Sequence, residues 1–262
     1  MKHVFYRSFF IIVLLFGFLV SNNAQSVDEL IAQGDDFSTK QFDNEKALEK
    51  FIAADKLSPN NWEILWRLSR TLVDIAEHLP SNTDAQKNSQ LVQYQKAFDY
   101  ADKAVSLAPD KSITYLRRAI ANGRIALFKG VFSVIGIVND VKKDLEKAIK
   151  LGNGGNEVIA SSYYVLARTH AKVCEKPYLV RMPLGLGWGD MSESFKNFRK
   201  AIELRPNFRM YYLDAGKAYI QEKEYKKAKE LLAKIPSLPV LDEDDAVFLA
   251  DSKKLLEEIK NK

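Results

Sequence analysis

Residues that commonly carry chemistry are scarce in this chain of 262 residues, which contains three histidines and one cysteine. His170 and Cys174 lie four residues apart, a spacing that places both on one helical face and would let them bind a metal ion together. No second pair of His or Cys accompanies them in the sequence, so a histidine packed beside a core-facing thiol is favoured. We therefore predict no catalytic residue, no metal site and no cofactor.

A glycine-rich segment, Gly185 to Gly189, resembles a phosphate-binding loop in composition. Such a loop cradles phosphate only between a strand and a helix, usually with a lysine, and no strand is predicted before this segment. We interpret it as a surface loop pinned by Trp188. Tyr178, Arg181 and Trp188 combine aromatic and basic character, so contact with a partner through this insertion stays open.

Consecutive carboxylates from Asp242 to Asp245 form the third candidate site. They lack the spaced oxygen ligands and the glycine of a calcium-binding loop. Because negative charge is stabilised at the start of a helix, we interpret the run as a solvated turn that favours the last helix.

The elements that position these residues are predicted by a recurring fragment, which begins at Lys46, Lys96, Lys143, Ser194 and Lys227. Its copies carry small or apolar residues at helical offsets, and several copies end in proline. Alanine lets two helices approach closely, and proline ends a helix because it lacks an amide proton. The clearest offsets are Ala47, Phe51, Ala54 and Pro59, repeated as Ala97, Ala101, Ala104 and Pro109. This pattern resembles the second helix of a tetratricopeptide (TPR) unit.

The repeats predict an all-α fold, a TPR-like α-solenoid in which antiparallel helix pairs form a right-handed superhelix with a C-terminal capping helix. We expect a single domain over residues 25–262. Its units are predicted at about 27–61, 62–111, 112–155, 156–208 and 209–238, with the cap at 243–262. Extra residues fall between the helices of the second, third and fourth units. The second insertion, 130–138, is apolar and predicts longer helices, whereas the third, 177–191, is rich in Pro and Gly.

A binding groove is predicted by aligning the first helices on their small residue. The next position faces the concave side of a TPR array and holds a cation in three units, whereas the third unit has Ile120 there. A basic groove edged by aromatic and apolar side chains suits acidic or carboxylate-terminated peptides. The alternative, that these cations only keep the surface soluble, stays open. The predicted groove residues are Trp66, Arg70, Tyr164, Arg168, Leu213 and Lys217.

The N-terminus predicts export. Basic residues before Ser8 are followed by an apolar run from Phe9 to Val20 and by a small-residue exit at Ala24. The run is shorter than the roughly 20 residues that span a bilayer. We therefore expect residues 1–24 to be a signal peptide cleaved near Ala24, which leaves a periplasmic or secreted chain without a stable membrane span. A retained N-terminal anchor is the alternative.

Three passages carry a resemblance to a known family. They are SPNNWEILWRLSRTLVDIAE from Ser58, VIASSYYVLARTHAKVCEKPYLVR from Val158, and the insertion leading into SFKNFRKAIELRPNF from Ser194. Over roughly Phe51 to Tyr225 the chain resembles TPR-like proteins of the regulator of microtubule dynamics family. The resemblance implies a helical fold and a protein-binding role, and for the animal members it implies association with microtubules. A weaker resemblance is to the periplasmic TPR-like subunit of some tripartite solute transporters.

The function predicted from these observations is a non-enzymatic scaffold that binds a protein or peptide partner in its concave groove. A net charge of +5, part of which lies in the leader, is too balanced for a nucleic-acid binder. One alternative is a periplasmic small-molecule carrier or transporter accessory, with residues 127–138 as the wall of a pocket. The other is a microtubule-associated regulator, as the resemblance implies for animal members.

Overall fold

The computed structural model describes residues 25–129 and 131–262, so the expected signal peptide lies outside the described residues. Within those ranges the regular elements are all helical. None of the helices in this part of the chain is both long enough and apolar enough to cross a bilayer. The helices are α1 (Val27–Asp36), α2 (Asn44–Leu57), α3 (Trp62–His78), α4 (Asp84–Leu107), α5 (Ser112–Ala126), α6 (Val131–Leu151), α7 (Gly155–Cys174), α8 (Tyr178–Arg181), α9 (Met191–Leu204), α10 (Arg209–Gln221), α11 (Tyr225–Leu232) and α12 (Asp245–Glu258).

Polar side chains at the helix starts explain where many of these helices begin. Ser26 and Thr83 each form a capping box. The hydroxyl accepts a hydrogen bond from the third backbone N–H of the helix, and the side chain of the Glu or Gln at that third position accepts one from the backbone N–H of the capping residue. Asn61 and Asp190 accept from backbone N–H groups at the starts of α3 and α9. These bonds satisfy amide groups that have no partner inside the helix.

Helices pair because the sequence places small residues where two of them cross. Ala47, Phe51 and Ala54 of α2 are completely buried against α1 and α3. Gly34 of α1 lies so close to this helix that a Cβ there would stand 2.4 Å from the Phe51 ring. Gly216 of α10 repeats the arrangement, since a Cβ there would stand 2.8 Å from Leu232 of α11. A glycine packed against a large side chain therefore brings two helices close together at both ends of the array.

Each pair packs on the next, as a helical repeat requires. The pairs are α1–α2, α3–α4, α5–α6, α7–α9 and α10–α11. The first helices α3, α5, α7 and α10 also contact one another in order, so they form one continuous inner surface. The predicted capping helix is α12, which packs on α10 and α11 and is followed by the buried Ile259.

Extra residues in the second and third units lengthen helices. Helix α4 has 24 residues where α2 and α9 have 14 each, which makes α4 roughly 15 Å longer. Residues 131–138 belong to α6, as the apolar composition predicted. In the fourth unit the insertion forms the short helix α8 and a π-helical turn, Met182–Leu186.

Candidate partner-binding surface

The inner surface of the first helices carries two groups of ion pairs, and the first is formed by Arg67 and Arg70. Arg67 binds the carboxylate of Asp35, with Nε 2.9 and 3.0 Å from its two oxygens and Nη2 2.9 Å from Oδ2. Arg70 extends from the next turn of α3, with Nη2 3.6 Å from Asp35 Oδ1 and in contact with the Ser38 hydroxyl. Asp35 follows Gly34 directly, so the preceding unit supplies the counter-charge.

A second group of charges joins α7 to α10 through Asp214. Arg168 Nε lies 3.2 Å from Asp214 Oδ2, and the Tyr164 hydroxyl donates to the same oxygen at 2.7 Å. Lys217 Nζ lies 3.9 Å from Asp214 and 3.3 Å from Asp251 of α12. The three predicted groove cations are therefore each paired with a carboxylate of the chain, and the surface has mixed charge.

Two of the predicted groove residues lie in the core. Tyr164 is 3% exposed because its ring stacks on Tyr211 with centroids 4.7 Å apart, and burial raises its pKa well above the ordinary value. Leu213 is 2% exposed and packs in the apolar cluster beneath α12. Both side chains therefore support the surface and do not offer area for a partner.

Arg117 of α5 is the inner-surface residue that sequence reasoning missed. The Trp66 ring faces three guanidinium groups, those of Arg67, Arg70 and Arg117, whose central carbons lie 4.3, 5.6 and 5.7 Å from the ring centroid. Within residues 25–129 and 131–262, Arg117 has no carboxylate within 4.0 Å. The Nε atoms of Arg70 and Arg117 are buried and have no hydrogen-bond partner in that part of the chain.

The electrostatic state of Arg117 follows from this setting. Burial, together with the nearby Arg70, lowers its pKa to about 10, although Asp74 opposes the shift. The guanidinium therefore stays charged at neutral pH. The sequence signal was present, because Arg117 precedes Ile120 by one turn and fills the gap that Ile120 leaves in the row of cations. We call Trp66, Arg70 and Arg117 the arginine–tryptophan cluster.

The insertion in the fourth unit is held by Arg181 and Trp188. Arg181 Nη1 lies 3.2, 3.3 and 2.7 Å from the carbonyl oxygens of Leu186, Gly187 and Gly189, to which it donates. Trp188 Nε1 donates to Asn139 Oδ1 of α6 at 2.8 Å. Both side chains are thus engaged within the chain, whereas the outward side of α8 is exposed and apolar. Its exposed residues are Tyr178, Leu179 and Val180, followed by Met182.

His170 lies in the core, and Cys174 is half-buried on the same helix. The His170 ring is buried, accepts at Nδ1 from the Asp190 backbone N–H at 3.2 Å and packs edge-on against Trp188. Burial lowers the pKa of His170 and raises the pKa of Cys174. Among the residues that the structure describes, no three His, Cys, Asp or Glu side chains cluster in a way that could hold a metal ion.

A surface depression lies between the second and third units. It has a volume of about 670 Å³ and is lined mainly by polar side chains of α4 and the loop before it. Of the residues predicted to form an apolar wall, Leu127 and Phe128 reach it. The lining residues are Ser81, Asp84, Lys87, Asn88, Gln90, Leu91, Leu127 and Phe128.

Helix pairs stacked through Ala and Gly, with a continuous inner surface of first helices, define a TPR-like helical-repeat protein. Solved structures confirm this fold class. A TPR protein of Thermus thermophilus superposes with a TM-score of 0.63 at 15% identity, covering 87% of this chain and 100% of that one. PilF of Pseudomonas aeruginosa gives a TM-score of 0.53 at 12% identity, covering 89% and 86%.

The chain belongs to the family described as regulator of microtubule dynamics protein 1-3, whose family model matches residues 30–260. Regulator of microtubule dynamics protein 1 of Mus musculus is 27% identical over 236 residues, which are 88% of this chain and 74% of the relative. Protein 2 of the same organism is 24% identical over 240 residues, which are 89% of this chain and 56% of the relative. The predicted family resemblance is confirmed.

Proposed function

We propose that this chain is a non-enzymatic interaction scaffold that holds a partner polypeptide against the inner surface of its first helices. The fold class supports this, because TPR-like arrays expose a long curved surface that is built from side chains of successive units. The arginine–tryptophan cluster carries the proposal. It combines a flat aromatic ring with two guanidinium groups, of which that of Arg117 forms no ion pair with the residues that the structure describes.

The cluster favours an acidic or carboxylate-terminated partner segment. A guanidinium presents several donors in a fixed plane, and a bidentate bond to a carboxylate strengthens where water is partly excluded. Arg70 is held in place by Asp35, so its free edge is ordered before a partner arrives. Arg117 lies on the same ring of Trp66 without an ion pair of its own in the described ranges. A partner carboxylate at this point would satisfy donors of both residues.

Site-specific photo-crosslinking in the native cell tests the proposal. A crosslinking amino acid at Ile120 places the probe beside the cluster, and the same probe at Lys103 or Lys150 reports the exposed outer side of second helices α4 and α6. We expect one polypeptide to be captured at Ile120 and to be absent at the two outer positions. Arg117→Gln should reduce that capture roughly tenfold or more, since a hydrogen bond to a charged group contributes about 1.5–3 kcal/mol.

The matched control is Lys103→Gln, which removes one exposed cation from the outer side without touching the cluster. Circular dichroism of both variants checks that the helices stay folded. Equal capture at inner and outer positions, or capture at Ile120 that Arg117→Gln leaves unchanged, contradicts the proposal.

The names of the relatives favour a second candidate function, regulation of microtubule dynamics. Cosedimentation of the purified chain with polymerised tubulin tests it, and Arg117→Gln shows whether the same surface is used. The N-terminal segment supports a different location, because a cleaved leader would direct the chain out of the cytoplasm. Fractionation of cells that carry a C-terminally tagged chain, with mass measurement of its N-terminus, decides between export with cleavage near Ala24 and a retained anchor.

A further inference from the structure

The segment before the last helix contacts the beginning of the repeat array. Asn44, the first residue of α2, donates from Nδ2 to Glu243 Oε1 at 2.8 Å, across 199 positions of sequence. His78, the last residue of α3, places Nε2 3.2 Å from Asp244 Oδ1 and Nδ1 3.9 Å from Glu243 Oε1. We call Asp242, Glu243 and Asp244 the acidic strap. Its contacts join the first two units to the last.

The strap is presented by a turn that the C-terminal part of the chain builds for itself. The buried Asp245 carboxylate accepts from the backbone N–H groups of Leu241 and Asp242 at 2.6 and 3.0 Å. Arg209 of α10 donates to the carbonyl oxygens of Leu238 and Asp245 at 3.2 and 3.1 Å. None of these bonds involves α2 or α3, so the turn is preorganised to hold out Glu243 and Asp244.

The geometry around His78 requires a charged imidazolium. Nδ1 lies 2.8 Å from the Asp74 carbonyl oxygen, and Nε2 faces the Asp244 carboxylate. Both partners can only accept hydrogen bonds, so both ring nitrogens must donate. Burial opposes the charge, but the bonds to Asp244 and Asp74 and the nearby Glu243 outweigh it and raise the pKa of His78 to about 9. The contact between His78 and Asp244 is therefore a charge-assisted hydrogen bond.

The docked strap is also surrounded by other carboxylates. Their repulsion weakens its binding, so a competing ligand can displace it more easily. Asp74 and Glu77 of α3 lie near Asp242, and Glu77 is paired with Arg124. Burial, with neighbouring carboxylates, raises the pKa of Asp74 to about 6 and that of Glu243 to about 7. The hydrogen bonds from Asn44 and His78 thus work against the repulsion that docking creates.

We infer that the acidic strap is an intramolecular ligand of a carboxylate-binding site formed by Asn44 and His78, and that a partner segment with adjacent acidic residues competes for this site. The inference rests on the proposed function, because it names the chemistry of the partner. The docked strap lies beside Asp74, one turn beyond Arg70, so its release uncovers surface next to the arginine–tryptophan cluster. The partner replaces a ligand that the chain already carries.

Distance measurement between spin labels tests the intramolecular contact without any partner. The labels are attached at Glu45→Cys in α2 and Lys254→Cys in α12, both exposed positions, in a Cys174→Ser background. The unaltered strap should give one narrow distance. Glu243→Ala with Asp244→Ala should lengthen and broaden it, whereas Glu230→Ala with Glu258→Ala, which removes two exposed carboxylates of α11 and α12, should not. His78→Gln opens the contact from the other side and should match the strap variant.

Fluorescence anisotropy tests the competition. The probe is a labelled peptide that copies residues 237–246, SLPVLDEDDA. We expect it to bind the Glu243→Ala, Asp244→Ala chain roughly tenfold or more tighter than the unaltered chain, because the tethered ligand is gone. Adding His78→Gln should abolish that binding, and a peptide with Ala in place of Glu243 and Asp244 should not bind.

Equal peptide affinity for the two chains, or the same narrow distance in the strap variant and in His78→Gln, overturns the inference. Both measurements use the purified chain and, for anisotropy, a synthetic peptide, with no cellular partner present, so their failure leaves the crosslinking result at Ile120 standing. In the converse case, the distance measurement shows that Glu243→Ala with Asp244→Ala opens the contact, but no polypeptide is captured at Ile120. That result contradicts the proposed partner and still supports the intramolecular contact.

Discussion

Gly34 and Gly216 let the first and second helices of their units approach closely. An alanine substitution at Gly34, compared with one at a glycine outside such a contact, measures what this close approach contributes to stability. A Cβ at Gly34 would overlap the Phe51 ring, which is fully buried and cannot move aside. We expect Gly34→Ala to lower the free energy of unfolding by about 1–3 kcal/mol, the usual cost of overpacking a core. Urea denaturation followed by circular dichroism measures the change.

Gly123 provides the matched control, because it is also helical but its Cβ would meet only a Val141 methyl at 4.0 Å. Gly123→Ala should leave the stability unchanged or raise it by up to ~1 kcal/mol, since alanine is the better helix former. If both substitutions change the free energy of unfolding by the same amount, close helix approach is not the reason for Gly34.

Burial of individual residues could be predicted from the sequence, whereas charge pairing could not. Ala97, Ala101 and Ala104 are completely buried, as their offsets predicted. The cations aligned on the small residue of the first helices pair mainly with carboxylates of another unit or of the cap, namely Asp35, Asp214 and Asp251. An alignment within one unit gives the direction of a side chain, but the partner across the next helix depends on how the units pack.

At the scale of elements, Arg181 is one of the two side chains that hold the insertion after α7 in place. Arg181 donates to the carbonyl oxygens of Leu186, Gly187 and Gly189 in the segment that follows α8. We expect Arg181→Gln to increase hydrogen exchange of amides in 178–189 by about 10- to 100-fold, because bonds to a charged group contribute about 1.5–3 kcal/mol. Exchange in α7 and α9 should change little. Mass spectrometry of peptide fragments measures this.

Arg199→Gln is the control for the loop, since Arg199 lies exposed on α9 and makes no ion pair with the described residues. Faster exchange in both variants would mean that loss of any cation in this unit loosens the loop. The sequence predicted a surface loop pinned by Trp188 and named Tyr178, Arg181 and Trp188 as residues open to contact with a partner. It did not predict that Arg181 turns inward onto backbone carbonyl oxygens, whereas Tyr178, named with it, is exposed.

At the scale of the whole molecule, the meeting of the two ends lay beyond sequence reasoning. The helix pairs, their order and the cap follow from local patterns with a short period. The contact between Asn44 and Glu243 depends on the curvature that accumulates over every unit between them. The sequence interpretation of the acidic run as a solvated turn was right about a turn before the last helix and wrong about Asp245, which is only 1% exposed.

Proton binding should control whether the array is closed by the strap. His78, Glu243 and Asp74 all have a raised pKa in the docked form, at about 9, about 7 and about 6, so docking takes up protons and is favoured at low pH. The contribution of His78 is complete below its ordinary pKa of 6.5 and is lost as the pH rises through about 9. Ionisation of Glu243 also weakens docking as the pH rises, but over a lower pH range, around its pKa of about 7.

Charged groups from several elements face this site, whereas α2 contributes only the uncharged Asn44. They are Asp74, Glu77 and Arg70 of α3, Arg117 and Arg124 of α5, and the strap carboxylates Asp242, Glu243 and Asp244.

Energy transfer between dyes at the two labelled positions follows closure as a function of pH. We expect the open fraction to increase several-fold from about pH 6 to about pH 10, with most of the change above pH 7 due to His78. In His78→Gln the open fraction should already be high and nearly constant above pH 7. An unaltered chain whose transfer stays constant over this range would mean that packing of α12, and not the imidazolium, holds the ends of the array together.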